Sequence, residues 1–279
     1  MNHGELSGTA GASTRFPVDG HVHFYEVERA SPTLDSALEN FRMLGGGEGR
    51  CVGALLLTQG SREHVFESLS GHETCGNWTI RPCRSEPQSL IAERDGQAIA
   101  VICGRQIRCD TGLEVAALGT TDEFPDGLAL DETLARVQGS GAMAVIPWGF
   151  GKWSGERGRT VDQALGRYSP DKLAVGDNGG RLRLAGEPLL VRKARDAGYK
   201  VLSGSDPFPC GDDYRRVGAF GFLAGVTPGT ASPWHDLATW LAAREQSPPG
   251  YGQTIGPVRF LVNQAGIRLH NRRMRSAAQ

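Results

Sequence analysis

Phe16-Pro17-Val18-Asp19-Gly20-His21-Val22-His23-Phe24 reads as a β-strand near the start of the chain. Side chains of a strand alternate, so His21 and His23 fall on one face and Val22 turns away into packing. Two neutral imidazoles on one face suit a single zinc, iron, nickel or manganese-type ion. The competing reading is a pair of surface or loop histidines that bind nothing.

The rest of the chain narrows what surrounds this strand. Its 279 residues suffice for one substantial core, and the 39% hydrophobic fraction supports a folded chain. A net charge of -1 gives no electrostatic reason to expect nucleic acid or an anionic membrane as partner. Thirty-nine glycines favour tight turns and loops that approach a ligand through backbone. Six cysteines (Cys51, Cys75, Cys83, Cys103, Cys109 and Cys210) are scattered without a CxxC. Cys51 and Cys103 read as core, and Cys75 with Cys83 is the one pair suggesting a bridge. Met1 to Thr14 has no positive segment followed by an apolar one, and no run reaches the roughly 18 apolar residues of a membrane span. The expectation is a soluble, cytoplasmic protein of undetermined oligomeric state.

Strand and helix patterns alternate along most of the chain. Helical spacing appears at Thr33–Leu44, Arg62–Leu69, Leu130–Gln138, Thr160–Leu165, Leu189–Ala197, Pro233–Arg244 and Pro257–Asn271. Strand-like runs include Cys51–Thr58, Ala98–Cys103, Gly112–Gly119, Ala142–Pro147, Leu173–Val175 and Tyr199–Leu202, and Asp95-Gly96 signals a hairpin. Such alternation argues a parallel sheet, closed or nearly so. Residues 1–15 read as a flexible lead-in and 16–279 as one domain.

Polar and glycine-rich motifs collect after the strand-like runs, and their order resembles the polymerase-and-histidinol-phosphatase (PHP) domain of the amidohydrolase-like metal hydrolases. The motifs are VDGHVHF, ALLLTQG, CGRQI, LEVAALG, VIPWGF, LAVGDNGG and VLSGSDPFP, covering roughly residues 16 to 210. The resemblance implies an α/β fold, a distorted (β/α)7-8 TIM-like barrel with C-terminal helices and a site at the carboxyl ends of its strands. The chain departs from the family pattern at Gln59, Gly60, Gln106, Glu114, Pro147-Trp148 and Phe208 or Pro207, where that family carries metal ligands. His21, His23 and Asp206 survive, enough for one metal with help from Glu114 or Asp177.

The resulting expectation is a hydrolase for a small-molecule ester, phosphoester or amide, using a divalent ion (Zn, Mn or Fe) and a metal-activated water. Asp206 would be ligand and proton acceptor; its other reading is an Asx-turn before Pro207. Lys152 would meet an anionic group or simply pair with a neighbouring acid. Arg105, Gln106, Trp148, Trp153, Asn178 and Arg181 complete the substrate-binding set. Each has a structural reading as well, with the tryptophans as packing and Arg181 as a partner of Asp177. The partner expected is a small molecule, anionic if the cations face the site. The alternative is a catalytically degenerate barrel acting as a binding or assembly protein.

Overall fold

The computed structural model describes residues 15–45, 50–209 and 211–277, with the side chains of 269–277 left aside. The expected lead-in therefore lies outside the described residues except for Arg15, as does Cys210. The chain opens with β1 (Phe16–Val22), α1 (Ala30–Met43), β2 (Cys51–Leu57) and α2 (Val65–Ser70). An antiparallel run follows: β3 (Thr74–Cys75), β4 (Trp78–Pro82), β5 (Ser89–Arg94) and β6 (Gln97–Ile102). Then come β7 (Gly104–Arg108), β8 (Glu114–Leu118), α3 (Leu130–Gly139), β9 (Met143–Pro147), α4 (Glu156–Arg167), β10 (Ala174–Asn178), α5 (Leu189–Asp196) and β11 (Val201–Gly204). The last elements are β12 (Phe220–Ala224), α6 (Pro233–Ala242), β13 (Gly250–Gly252) and α7 (Pro257–Ala277).

The expected TIM-like barrel does not form. The strands make two sheets, one of eight in the order β13-β12-β1-β2-β6-β5-β4-β3 and one of five in the order β11-β10-β9-β8-β7. Helices are too few for a ring of βα units. From β3 to β8 the chain adds six strands without an α-helix, and adjacent parallel strands need a crossover of a dozen or more residues. Asp95, at φ 51°, and Gly96, at φ 75°, instead fold β5 directly back onto β6. Apart from isolated bridges, parallel pairing among the described residues is confined to β1-β2-β6 and β9-β10-β11.

Most central strands are buried on both faces, which is why they read as continuous apolar runs. Leu55, Leu57, Ile99 and Val101 face a core shared with Leu34, Leu38 and Phe41 of α1. Ala54 and Leu56 face inward, towards Ala116, Leu118, Val145 and Leu202 of the second sheet, with Trp234, Leu237 and Leu241 of α6 in the same cluster. On the outer side of the five-stranded sheet Val115, Ile146 and Val175 meet Leu134, Val161 and Val191 of α3, α4 and α5. Cys75 and Cys83 are free thiols rather than a bridge.

The two sheets meet at two seams. One is an isolated parallel bridge between Gln59 and Arg105. The other brings β11 against β1: the Asp206 amide donates to the His21 carbonyl at 2.9 Å, and a Cβ on Gly204 would stand 2.2 Å from the His21 nitrogen. Only glycine allows this approach, since nothing in that backbone can yield to a methyl group. Gly204→Ala is expected to destabilise the fold by about 2 kcal/mol or more, read as a lower urea midpoint; an unchanged midpoint would show the seam is compliant.

Candidate metal centre

A bulge aims the two histidines. In β1, Val18 pairs with Ala54 and Asp19 with Leu55, but Val22 pairs with Leu57, so β1 carries one extra residue over that interval. Strict alternation would put Asp19, His21 and His23 on one face. The extra residue breaks that phase, leaving Asp19 and Val22 aligned with the α1-facing Leu55 and Leu57 and turning His21 and His23 towards the space between the sheets. The Asp19 carboxylate is fully buried and accepts from the backbone amides of Ser205 (2.8 Å), Gly218 (2.8 Å) and His21 (3.4 Å). Burial pushes its pKa up to about 6 despite these donors.

The Nε2 atoms of His21 and His23 come within 3.2 Å of each other. Asp206 Oδ1 lies 3.7 Å from the first and 3.8 Å from the second. Ligand atoms about 2.1 Å from one ion sit roughly 3.0–3.4 Å apart at tetrahedral or octahedral angles. The three atoms therefore need only slight adjustment, and His21, His23 and Asp206 form a group that could hold a metal ion.

Neighbouring groups fix their orientation. Glu63 Oε2 lies 3.4 Å from His23 Nδ1 and also accepts from the Gly60 amide at 3.0 Å. A proton on Nδ1 facing this carboxylate leaves the Nε2 lone pair directed at the site, as metal-binding histidines require. Tyr25 stacks on the His23 ring at 5.1 Å and donates to the Pro207 carbonyl. Thr58 Oγ1 lies 3.4 Å from His23 Nε2. Asn178 Nδ2 donates to Asp206 Oδ2, so Oδ1 is the oxygen presented to the imidazoles. Asp206 itself adopts φ 45°, an uncommon backbone conformation that places its side chain over β1.

Burial lowers the His21 pKa to about 4, outweighing the attraction of Asp206. For His23 burial acts in the same direction, but the hydrogen bond and charge of Glu63 and the charge of Asp206 raise it above 6.5 overall. Burial would raise both Glu63 and Asp206, yet their histidine partners hold both below the usual carboxylate range. His21 is thus ready for a metal at neutral pH, while His23 must surrender a proton.

The group lies on the wall of a cleft of about 630 Å³. Of the residues expected at the site, Gln106, Glu114, Trp148, Lys152 and Asn178 line it as well. Four others are placed differently. Arg105 alternates with Gln106 on β7 and points away, to Glu67 Oε1 at 2.5 Å and the carbonyls of Glu63, Thr121 and Asp122. Arg181, four residues after Asp177, holds its carboxylate through Nε at 2.8 Å and Nη2 at 3.2 Å. Trp153 packs on the outer core of the five-stranded sheet. Glu114 bonds Lys152 Nζ, so neither Glu114 nor Asp177 belongs to the donor group. Glu63, Arg108 and Arg157 were not anticipated. Glu63 follows the turn after β2, and only the need of His23 for a carboxylate partner would have pointed to it.

No family model matches the sequence, and no curated protein matches it. Among solved structures, the fold is similar to that of PsfC from Pseudomonas syringae PB-5123. The two share 18% identity over 92% of this chain and 99% of that one, with a TM-score of 0.55. This is a likeness of fold. Among the described residues no helix is long and apolar enough to cross a membrane.

Two outcomes are expected of the centre itself. Glu63→Gln should weaken zinc binding about 10–100-fold with little change in stability, measured by competition with a chromophoric chelator; unaltered affinity would assign Glu63 to the turn alone. Because metal must displace the His23 proton, affinity should fall as pH drops through the raised His23 pKa, while His21 contributes only in much more acid solution. Calorimetric zinc titrations in buffers of different ionisation enthalpy, with about one proton released near pH 6 and fewer near pH 8, check this.

Proposed function

We propose that this protein is a metal-dependent hydrolase of a small-molecule ester, phosphoester or amide, working through a divalent ion (Zn, Mn or Fe) held by His21, His23 and Asp206. The observation that carries the reading is the convergence of His21 Nε2, His23 Nε2 and Asp206 Oδ1 within 3.2–3.8 Å on the wall of a large cleft. Three protein ligands leave positions open, and an ion so bound lowers the pKa of water and polarises a carbonyl or phosphoryl oxygen. His21 and His23 are nearly buried, at 8% and 7% exposure, which keeps competing water low.

The chain's own groups divide the remaining work. Both oxygens of Asp206 are engaged, one towards the imidazoles and one by Asn178, so its role is ligand rather than proton acceptor. Glu114 is the carboxylate on the cleft wall suited to take a proton, with Lys152 bonded to it and able to return one to a leaving group. Trp148 supplies an apolar wall.

Two histidines and one carboxylate with open positions are also the donor set of non-haem iron(II) oxygenases, which favours oxygen chemistry as a second reading. Elemental analysis of purified protein, followed by assays for ester, phosphoester and amide hydrolysis and for oxygen uptake, separates the two. The expectation is near-stoichiometric metal, lost in a His21→Ala/His23→Ala double variant that remains folded by circular dichroism. Wild-type protein that binds no metal even after reconstitution would defeat both readings and leave a binding or assembly role.

A further inference from the structure

We infer that the substrate carries an oxyanion, carboxylate or phosphoryl, at the end remote from the metal, and that Arg108 and Arg157 hold it. The inference rests on the reading of the cleft as a substrate site. Gln106 and Arg108 alternate with Ile107 on β7, so both share the face that lines the cleft. In the β7–β8 ladder Arg108 stands opposite Glu114, the natural cross-strand partner for a guanidinium. Glu114 nevertheless bonds Lys152 from the loop after β9. Arg108 is left with no hydrogen-bond or ion-pair partner for its side chain among the described residues.

Arg157, in the first turn of α4, lines the same cleft, and among the described residues its only side-chain hydrogen bond is from Nη2 to the Gly151 carbonyl at 2.9 Å. Its Nη1 lies 3.6 Å from where a Cβ on Gly112 would be, in the turn joining β7 to β8. Two guanidiniums without acid partners thus border one turn. Of the acids on the cleft wall, Glu63 and Asp206 are engaged by the histidines and Glu114 by Lys152, while Asp110 accepts the Thr111 amide through Oδ1 at 2.6 Å and forms no ion pair with either guanidinium among the described residues. Arginine forks match the planar geometry of carboxylate and the tetrahedral oxygens of phosphoryl groups. Beside them the buried Gln106 Oε1 has no hydrogen-bond partner, an acceptor ready for a hydroxyl or amide of the same ligand.

The test uses the full chain in two forms, chelator-stripped and zinc-loaded, with inorganic phosphate and succinate as probes in calorimetric titrations at low ionic strength. The stripped wild type should bind at least one of these anions, the tighter naming the headgroup. Arg108→Gln and Arg157→Gln should each weaken that binding about tenfold or more while leaving zinc affinity unchanged. Arg108→Lys, retaining charge without the fork, should fall between. Stripped wild type that binds neither anion, or variants that bind as it does, would overturn the inference. Retained anion binding in a protein that takes no zinc would instead remove the hydrolase reading and leave the anion site standing.

Discussion

Everything at the candidate centre depends on a buried carboxylate that bonds to backbone rather than to a cation. Asp19 gathers the amides of Ser205, Gly218 and His21, and so ties β1 to the segment after β11 and to the one before β12. A carboxylate out of water is costly unless its lone pairs are filled, so those three donors define one arrangement of backbone around it. That arrangement contains the bulge that turns His21 and His23 inward and the strained turn that lifts Asp206 over them. The ligands are preorganised by a residue that touches none of the chemistry.

The cleft is electrically divided. At the β1–β11 end the imidazoles, Asp206 and Glu63 form a compact group in which carboxylates are held ionised by their histidines, suited to a cation. At the end of β7 and the start of α4 the guanidiniums of Arg108 and Arg157 line the cleft without an ion-pair partner among the described residues, beside the one acid Asp110. Lys152 and Glu114 lie among the residues lining the same cleft and neutralise each other. A ligand that spans the cleft meets the histidine–carboxylate group at one end and guanidiniums at the other.

Much of this was legible in sequence because it is local. The His-x-His spacing, the helices from α1 to α6 and the apolar strands follow from periodicities that neighbouring residues set. Asp206, placed next to the histidines by reading order alone, does arrive there. The architecture was not legible, because whether strands close into a barrel depends on crossovers, and the helix-free stretch from β3 to β8 denies them. β7 and β12 escaped notice for a related reason: Gly104-Arg-Gln-Ile-Arg alternates between a polar cleft and a buried Arg105 network, and Phe220-Gly-Phe-Leu-Ala is interrupted by glycine. Arg181 followed its alternative reading as the partner of Asp177, and Arg105 was misplaced because sequence shows which charges are near but not which carboxylate each one meets. Glu63, forty residues from His23, is a partner that only the fold supplies.

The donor group also joins two segments far apart in the chain. His23 and Asp206 are separated by 183 positions, and the whole five-stranded sheet lies inside that loop. Closing so long a loop carries an entropic cost that grows with the logarithm of its length. An ion seated between these residues would therefore act as a reversible cross-link, adding stability in proportion to the logarithm of its concentration over its dissociation constant. With such an ion bound, metal supply would govern how often the strands at the seam part, and with them the lifetime of the folded chain.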